Sequence, residues 1–211
     1  MGVKGFKLSD GSIVKYDYSA LENVITDNTL SISGVTANGY GHANDATYCS
    51  NTGLIYLTSM ETNGKVYALD PSTGMTLTNT YIVNGKSNTP SQIWCLAYDR
   101  NTERFIAFDT NNDMLFYDQN FNLISYKNVP NLSSVWPATR QGMETDGTFI
   151  YAISYQPNLI NVIDMNGKIV KHISCSNFSG EPETMCYDWI NNKYYIEGIS
   201  TYYTIKETVF K

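Results

Sequence analysis

Charge is scarce in this sequence: Asp, Glu, Lys and Arg make up 16% of its 211 residues. With 42% hydrophobic residues, the chain is not a disordered one, which needs high charge and little apolar surface. No basic stripe exists, and the net charge is −6. That excludes a nucleic-acid partner, whose phosphates call for clustered Lys and Arg. It also argues against an anionic membrane surface. Histidine is limited to His42 and His172, and cysteine to Cys49, Cys95, Cys175 and Cys186. None forms a CxxC or a Cys/His group at zinc spacing, so no metal is expected and the thiols read as small buried hydrophobes. Long apolar runs are missing too; nothing approaches the ~18 residues of a membrane span. Residues 1–7 lack an apolar h-region, which gives the expectation of a soluble chain, cytoplasmic or exported without a classical signal. There is no Walker loop, GxGxxG, GxSxG or HExxH, and no cofactor is expected. Helical periodicity is sustained nowhere; Ser19–Val24, with Leu21 and Val24, is the one stretch with helical spacing.

What is present is tyrosine, 17 residues of it, and a repeated strand-turn-strand. The clearest copy spans Gly41–Leu57: a loop, β-favouring Ala46–Cys49, the reversal Asn51-Thr52-Gly53, then Leu54–Leu57. Tyr48 and its turn have counterparts in Tyr98 with Asp99–Thr102, Glu144 with Asp146-Gly147, and Tyr187 with Asn191-Asn192. A second register agrees with the first. Val66–Asp70, Met114–Asp118 and Ile160–Asp164 each end in Asp, run into a turn, and are followed by Leu77–Val83, Leu123–Val129 and Ile169–Ser174. Asp in that place accepts backbone N–H groups of the turn.

Two registers with one period of roughly 45 residues describe a four-stranded antiparallel meander, the size of a propeller blade. The fold class expected is all-β: a β-propeller with units near 39–83, 88–129, 137–175 and 181–211 and a partial one at 5–34. Five blades closed across the termini are favoured, because closure removes an open sheet edge. Four blades with an N-terminal arm is the competing count. No Pro- or Ser-rich linker divides residues 1–211, so one domain is expected.

In such a ring the loops leading into the innermost strands lie on one face, and loops on a rigid scaffold carry function. Those loops supply the candidate ligand-binding residues His42, Asn44, Asp45, Gln92, Trp94, Trp136, Arg140, Gln141, Glu181 and Glu183. His42 with Asp45 is an acid–base fragment, a metal fragment, or a His fixing the loop beside a turn-capping Asp. Glu181 and Glu183, at i and i+2, face one way if extended; paired carboxylates of that kind hydrolyse glycosides, and otherwise accept hydrogen bonds from a ligand. Arg140 pairs with a carboxylate or a phosphate of a ligand, or forms a rim salt bridge. Trp94 and Trp136 stack on sugars or fill the space between blades. Asp109–Asp113 matches the D-x-N-x-D start of a calcium loop, but Met114 stands where the required Gly belongs. No residue is assigned a catalytic role.

The block Gly41–Tyr48, followed by Asn51-Thr52-Gly53 and Ile55-Tyr56-Leu57, resembles propeller modules in tail-tip and receptor-binding proteins of phages of Gram-positive bacteria. Leu8–Asn23 is similar to a recurrent phage fibre segment. The resemblance implies a virion surface module, homo-oligomeric as part of a fibre, whose partners are a host cell-wall polysaccharide or other virion proteins. The expectation is therefore a non-enzymatic, carbohydrate-binding phage tail protein. A small propeller enzyme acting on glycans or peptides and a protein–protein scaffold are the alternatives.

Overall fold

The computed structural model describes residues 8–9, 12–13, 43–60, 64–73, 76–129, 132, 140–175, 181–190, 193–198 and 201–205. A two-residue hairpin comes first, β1 (Leu8–Ser9) against β2 (Ser12–Ile13). Four meanders follow. The first is β3 (Ala43–Cys49), β4 (Leu54–Ser59), β5 (Lys65–Asp70) and β6 (Thr76–Ile82). The second is β7 (Ile93–Asp99), β8 (Arg104–Asp109), β9 (Asp113–Tyr117) and β10 (Leu123–Asn128). The third is β11 (Arg140–Thr145), β12 (Phe149–Ser154), β13 (Leu159–Asp164) and β14 (Ile169–Ser174). The fourth has three described strands, β15 (Pro182–Asp188), β16 (Lys193–Gly198) and β17 (Thr201–Ile205). Every pairing is antiparallel, and strand order in each sheet follows chain order. These are the blades of an all-β propeller. No ladder joins one sheet to the next among the described residues. The expected fifth blade and the closure across the termini fall on residues that, apart from β1 and β2, lie outside those described.

The blades are held by one apolar cluster per neighbouring pair. Between the first and second lie Tyr56, Tyr98, Phe105, Tyr117 and Phe121. Phe105 stacks on Phe121 with centroids 4.5 Å apart, and Tyr56 meets Phe105 at 4.6 Å. Between the second and third lie Phe108, Met114, Met143 and Ile150; between the third and fourth, Tyr151, Ile160, Met185 and Tyr194. The second and third strands of the first three blades are largely covered on both sides, whereas β6, β10 and β14 are largely exposed. Their Thr, Asn, Ser and Lys content fits an edge that must not recruit another strand.

The aspartates closing the third strands do what their position suggests. Asp118 Oδ1 accepts the N–H groups of Asn120 and Asn122 at 2.8 and 2.9 Å. Asp164 Oδ1 accepts those of Asn166 and Lys168, both at 2.9 Å. Asp164→Ala should destabilise the fold by about 1 kcal/mol, since two turn N–H groups revert to water; an unchanged urea midpoint would remove the turn from the determinants of the fold.

The register corrects one reading. Tyr48, Tyr98 and Tyr187 pair with Ile55, Phe105 and Tyr194, and the third-blade residue in that role is Thr145, paired with Ile150, not Glu144. The β11–β12 turn is two residues shorter than the other three. It closes through Gly147, whose φ of +81° a side chain resists. Glu144 therefore occupies the level of Thr47, Ala97 and Cys186.

Candidate functional site

Each innermost strand carries one extra residue near its start: the register slips between Ala43 and Asp45, Ile93 and Leu96, Arg140 and Met143, and Pro182 and Thr184. A bulge bends a strand and re-aims the neighbouring side chains. Because all four blades bulge at the same level, four residues become equivalent there: Asp45, Cys95, Gly142 and Thr184. They converge on the axis.

Asp45 is the centre of that convergence. Its side chain is 3% exposed. Oδ2 accepts the N–H groups of Leu96 in β7 and Met143 in β11, each at 3.0 Å, and Oδ1 accepts the hydroxyl of Thr184 in β15 at 3.0 Å. One carboxylate of the first blade thus ties the other three. Burial pushes its pKa up from 3.8 to about 7, against the hydrogen bonds, which favour the charged form. Cys95 fills the next position, 1% exposed, its thiol donating to the Gln141 carbonyl. Burial, and then the Asp45 charge, push this thiol up, so it is not a nucleophile.

Two residues further along the inner strands lies a second axial layer: Thr47, Ala97, Glu144 and Cys186. Glu144 is 7% exposed, and burial, with the Asp45 charge adding, raises its pKa to about 8, while Oε1 accepts the Thr145 N–H at 2.9 Å. Burial pushes the Cys186 thiol up, and the Glu144 charge pushes it further. The i, i+2 alternation of the inner strands was the signal for this column, visible only once the bulges fix which parity faces inward.

The residue just before each axial position is Asn44, Trp94, Gln141 or Glu183, so four candidate binding residues are structural equivalents. The side chains of Asn44, Trp94 and Gln141 run sideways toward the next blade. Asn44 Nδ2 donates to the Trp94 carbonyl at 2.8 Å, which also accepts Thr58 Oγ1 at 2.7 Å. Trp94 lies half-buried against the cluster between the second and third blades. Gln141 Nε2 donates to Glu181 Oε1. Glu183 is raised by burial first and by the charge of Glu181 second, while the bulge between Pro182 and Thr184 breaks the simple i, i+2 alternation at this pair. Gln92 Nε2 donates to the Met60 carbonyl at 2.9 Å. Arg140 donates from Nη1 to the Asp109 carbonyl at 2.8 Å and from Nη2 to Asn112 Oδ1 at 2.7 Å. His42 and Trp136 lie outside the described residues.

The D-x-N-x-D stretch is a self-capped hairpin. Asp109 Oδ1 accepts the N–H groups of Asn111 and Asp113 at 2.8 and 3.0 Å. The ammonium of Lys86 stands 2.6 Å from Asp113 Oδ2, where a cation would otherwise go. Among the described residues no three His, Cys, Asp or Glu side chains group as a metal site, and no helix is long and apolar enough to cross a membrane.

Fold and axis together define a β-propeller with a plugged axis and a loop-bearing face stitched by inter-blade hydrogen bonds. Comparison with solved structures agrees on the fold. The glutaminyl cyclase of Myxococcus xanthus is similar with a TM-score of 0.58 and 14% identity, over 78% of this chain and 74% of the cyclase. A protein of unknown function from Bacteroides caccae gives 0.51 and 7%, over 78% of this chain and 57% of that one. Hydrazine synthase of Kuenenia stuttgartiensis gives 0.49 and 14%, over 81% and 47%. The chain thus spans less than two thirds of the latter two. At these identities the likeness is one of fold alone. No family model and no curated protein matches the chain.

Proposed function

We propose that this chain is a non-enzymatic binding module whose loop-bearing face takes a neutral cell-surface glycan, as part of a phage tail or fibre. The observation that carries the binding reading is the engagement of Asp45. The acid that would orient His42 has its oxygens taken by Leu96, Met143 and Thr184, one from each of the other blades. It serves the scaffold rather than proton transfer. The cations of the same face are likewise spent on the protein: Arg140 on Asp109 and Asn112, Lys86 on Asp113. A chain of net charge −6 with its cations so engaged suits a neutral sugar better than an anionic polymer. Amides and carboxylates fixed on a rigid face suit sugar hydroxyls, which both donate and accept. The phage setting rests on the sequence resemblance.

A second reading, a small glycan-cleaving propeller, draws on Glu183: its raised pKa beside Glu181 is the usual state of a general acid. One pair of assays separates the readings. On a glycan array the protein should retain neutral glycans, with affinity changing less than about twofold between low and high salt, since no ion pair is screened. It should release no reducing ends from purified cell wall. Release that disappears in Glu183→Gln overturns the binding reading in favour of the enzyme; capture of a protein with no glycan retained overturns it in favour of a scaffold.

A further inference from the structure

At the end of the inner strands away from the loop-bearing face, the second and fourth blades turn alike. Asp99 and Asp188 close β7 and β15, paired with Arg104 and Lys193, so Arg100 and Trp189 are the same first turn residue in two blades. The turn of the blade between them is two residues shorter, and Asn101 covers its Gly147, where a Cβ would overlap Asn101 Nδ2. Arg100 reaches across: its guanidinium stands 5.6 Å from the ring centroid of Trp189. Tyr187 holds that ring edge-on at 5.1 Å. Ile190, the next residue, is 61% exposed.

A ring contact uses the face of a guanidinium and leaves its donors, which lie in the plane, unused. Arg100 Nε is buried without a hydrogen-bond partner among the described residues, where buried donors are normally paired. The carboxylates of the surrounding turns are committed elsewhere. Asp99 accepts the Asn101 N–H at 2.9 Å and the Thr102 hydroxyl at 2.6 Å. Asp188 Oδ1 accepts the Ile190 N–H at 2.9 Å. Asp146 takes the Thr148 and Phe149 N–H groups, both at 2.8 Å, on one oxygen and the Tyr151 and Tyr194 hydroxyls at 2.6 and 2.7 Å on the other. Glu103 accepts Gln119 Nε2 at 3.4 Å. Each acid serves neighbours of its own, which leaves the Arg100 fork to a carboxylate from outside.

We propose that this end of the fourth blade is a second binding site, for an organic monocarboxylate: the carboxylate lies on the Arg100 fork, and its apolar group packs on Trp189 and Ile190. A planar anion with two oxygens matches a guanidinium fork through two parallel hydrogen bonds. One negative charge suits the place better than two, because the cation stands among the acids just named and the chain carries −6 overall. Exposed Ile190 gains burial only from a ligand that brings apolar surface. The site lies at the opposite end of the inner strands from the glycan-binding face and does not rest on that reading.

The test titrates N-acetylphenylalanine into the protein at matched ionic strength and follows the indole N–H resonance of Trp189, assigned by its loss in Trp189→Phe. The resonance should shift saturably. N-acetylphenylalaninamide keeps the ring and lacks the charge; acetate keeps the charge and lacks the ring. Both, and inorganic phosphate, should bind at least about tenfold more weakly. Arg100→Met should weaken N-acetylphenylalanine by a similar factor, and Ile190→Ser, which leaves the core untouched, by about threefold; the other two indole resonances staying in place show that each variant is folded. A short peptide ending in phenylalanine with a free carboxyl group distinguishes the sources: tighter binding than N-acetylphenylalanine supports the site as one for a chain terminus, equal binding as one for a small acid. No saturable shift, equal binding of the amide, or affinity undiminished in Arg100→Met overturns the proposal.

Discussion

Asp45→Ala is expected to cost about 4 kcal/mol of folding stability, because it strands the N–H groups of Leu96 and Met143 and the Thr184 hydroxyl in the interior at once. The three donors belong to three different blades, so no local rearrangement supplies a substitute acceptor. Asp45→Asn is the informative contrast. Its carbonyl oxygen can keep both amide hydrogen bonds, and Thr184 can accept where it donated, so the loss should be only about 1 kcal/mol. The pair also separates geometry from charge. Asp45 ionises near 7 in the folded chain against an ordinary 3.8, so between those values the folded state holds a proton that the unfolded state has released. The stability this contributes is complete below about pH 4, is lost as pH rises through 7, and stays lost above. Glu144 adds the same sign up to about 8. Urea unfolding from pH 4 to 9 should therefore show declining stability in the wild type, and Asp45→Asn should make the decline below pH 7 shallower, leaving the part that Glu144 contributes. An Asp45→Ala protein within about 0.5 kcal/mol of wild type would show that the axial hydrogen bonds are dispensable.

The blades were legible in the sequence because turn chemistry and strand pattern recur together. Asn51-Thr52-Gly53 and the aspartates ending β5, β9 and β13 mark reversals that apolar runs alone would not. The same cue misplaced Glu144. Aligning the third unit on its turn shifts it by one, because that turn is two residues short, and a one-residue shift exchanges the two faces of a strand. Phe121 was hidden differently. It sits in a stretch that reads as a polar turn, yet it takes a φ of +60° and is 4% exposed against Phe105, a conformation that residue type does not advertise. The role of Asp45 was out of reach for a third reason. Beside His42 it reads as a turn cap or an acid–base partner, while its actual partners lie 51, 98 and 139 residues away. Asn44, Trp94, Gln141 and Glu183 were found as leading-loop residues; that they are one position repeated four times follows from bulges, which leave no mark in an alternation pattern.

Gly142→Ala should be the second most damaging single change, at about 3 kcal/mol, although it adds one methyl group. Gly142 holds the axial position that Asp45, Cys95 and Thr184 hold in the other blades, and it is empty so that Asp45 can enter. A Cβ there would lie 2.8 Å from Asp45 Oδ1, from Thr184 Oγ1 and from Thr184 Cα. The hydroxyl can rotate away and the carboxylate can shift at the expense of its hydrogen bonds. The Thr184 Cα cannot move without dragging β15, so the third and fourth blades must part. Gly53→Ala supplies the control for glycine loss as such: its φ is +71° with nothing within 4 Å of a new Cβ, and about 1 kcal/mol of backbone strain is its whole cost. Removing the Thr184 hydroxyl should recover part of the axial penalty, so Gly142→Ala with Thr184→Ala is expected to be less destabilised than the two single costs added together, the signature of residues in contact. Strictly additive costs, or a Gly142→Ala loss no larger than that of Gly53→Ala, would mean that the axis is open enough to admit a side chain, and that the convergence of the four inner strands on Asp45 is looser than these distances describe.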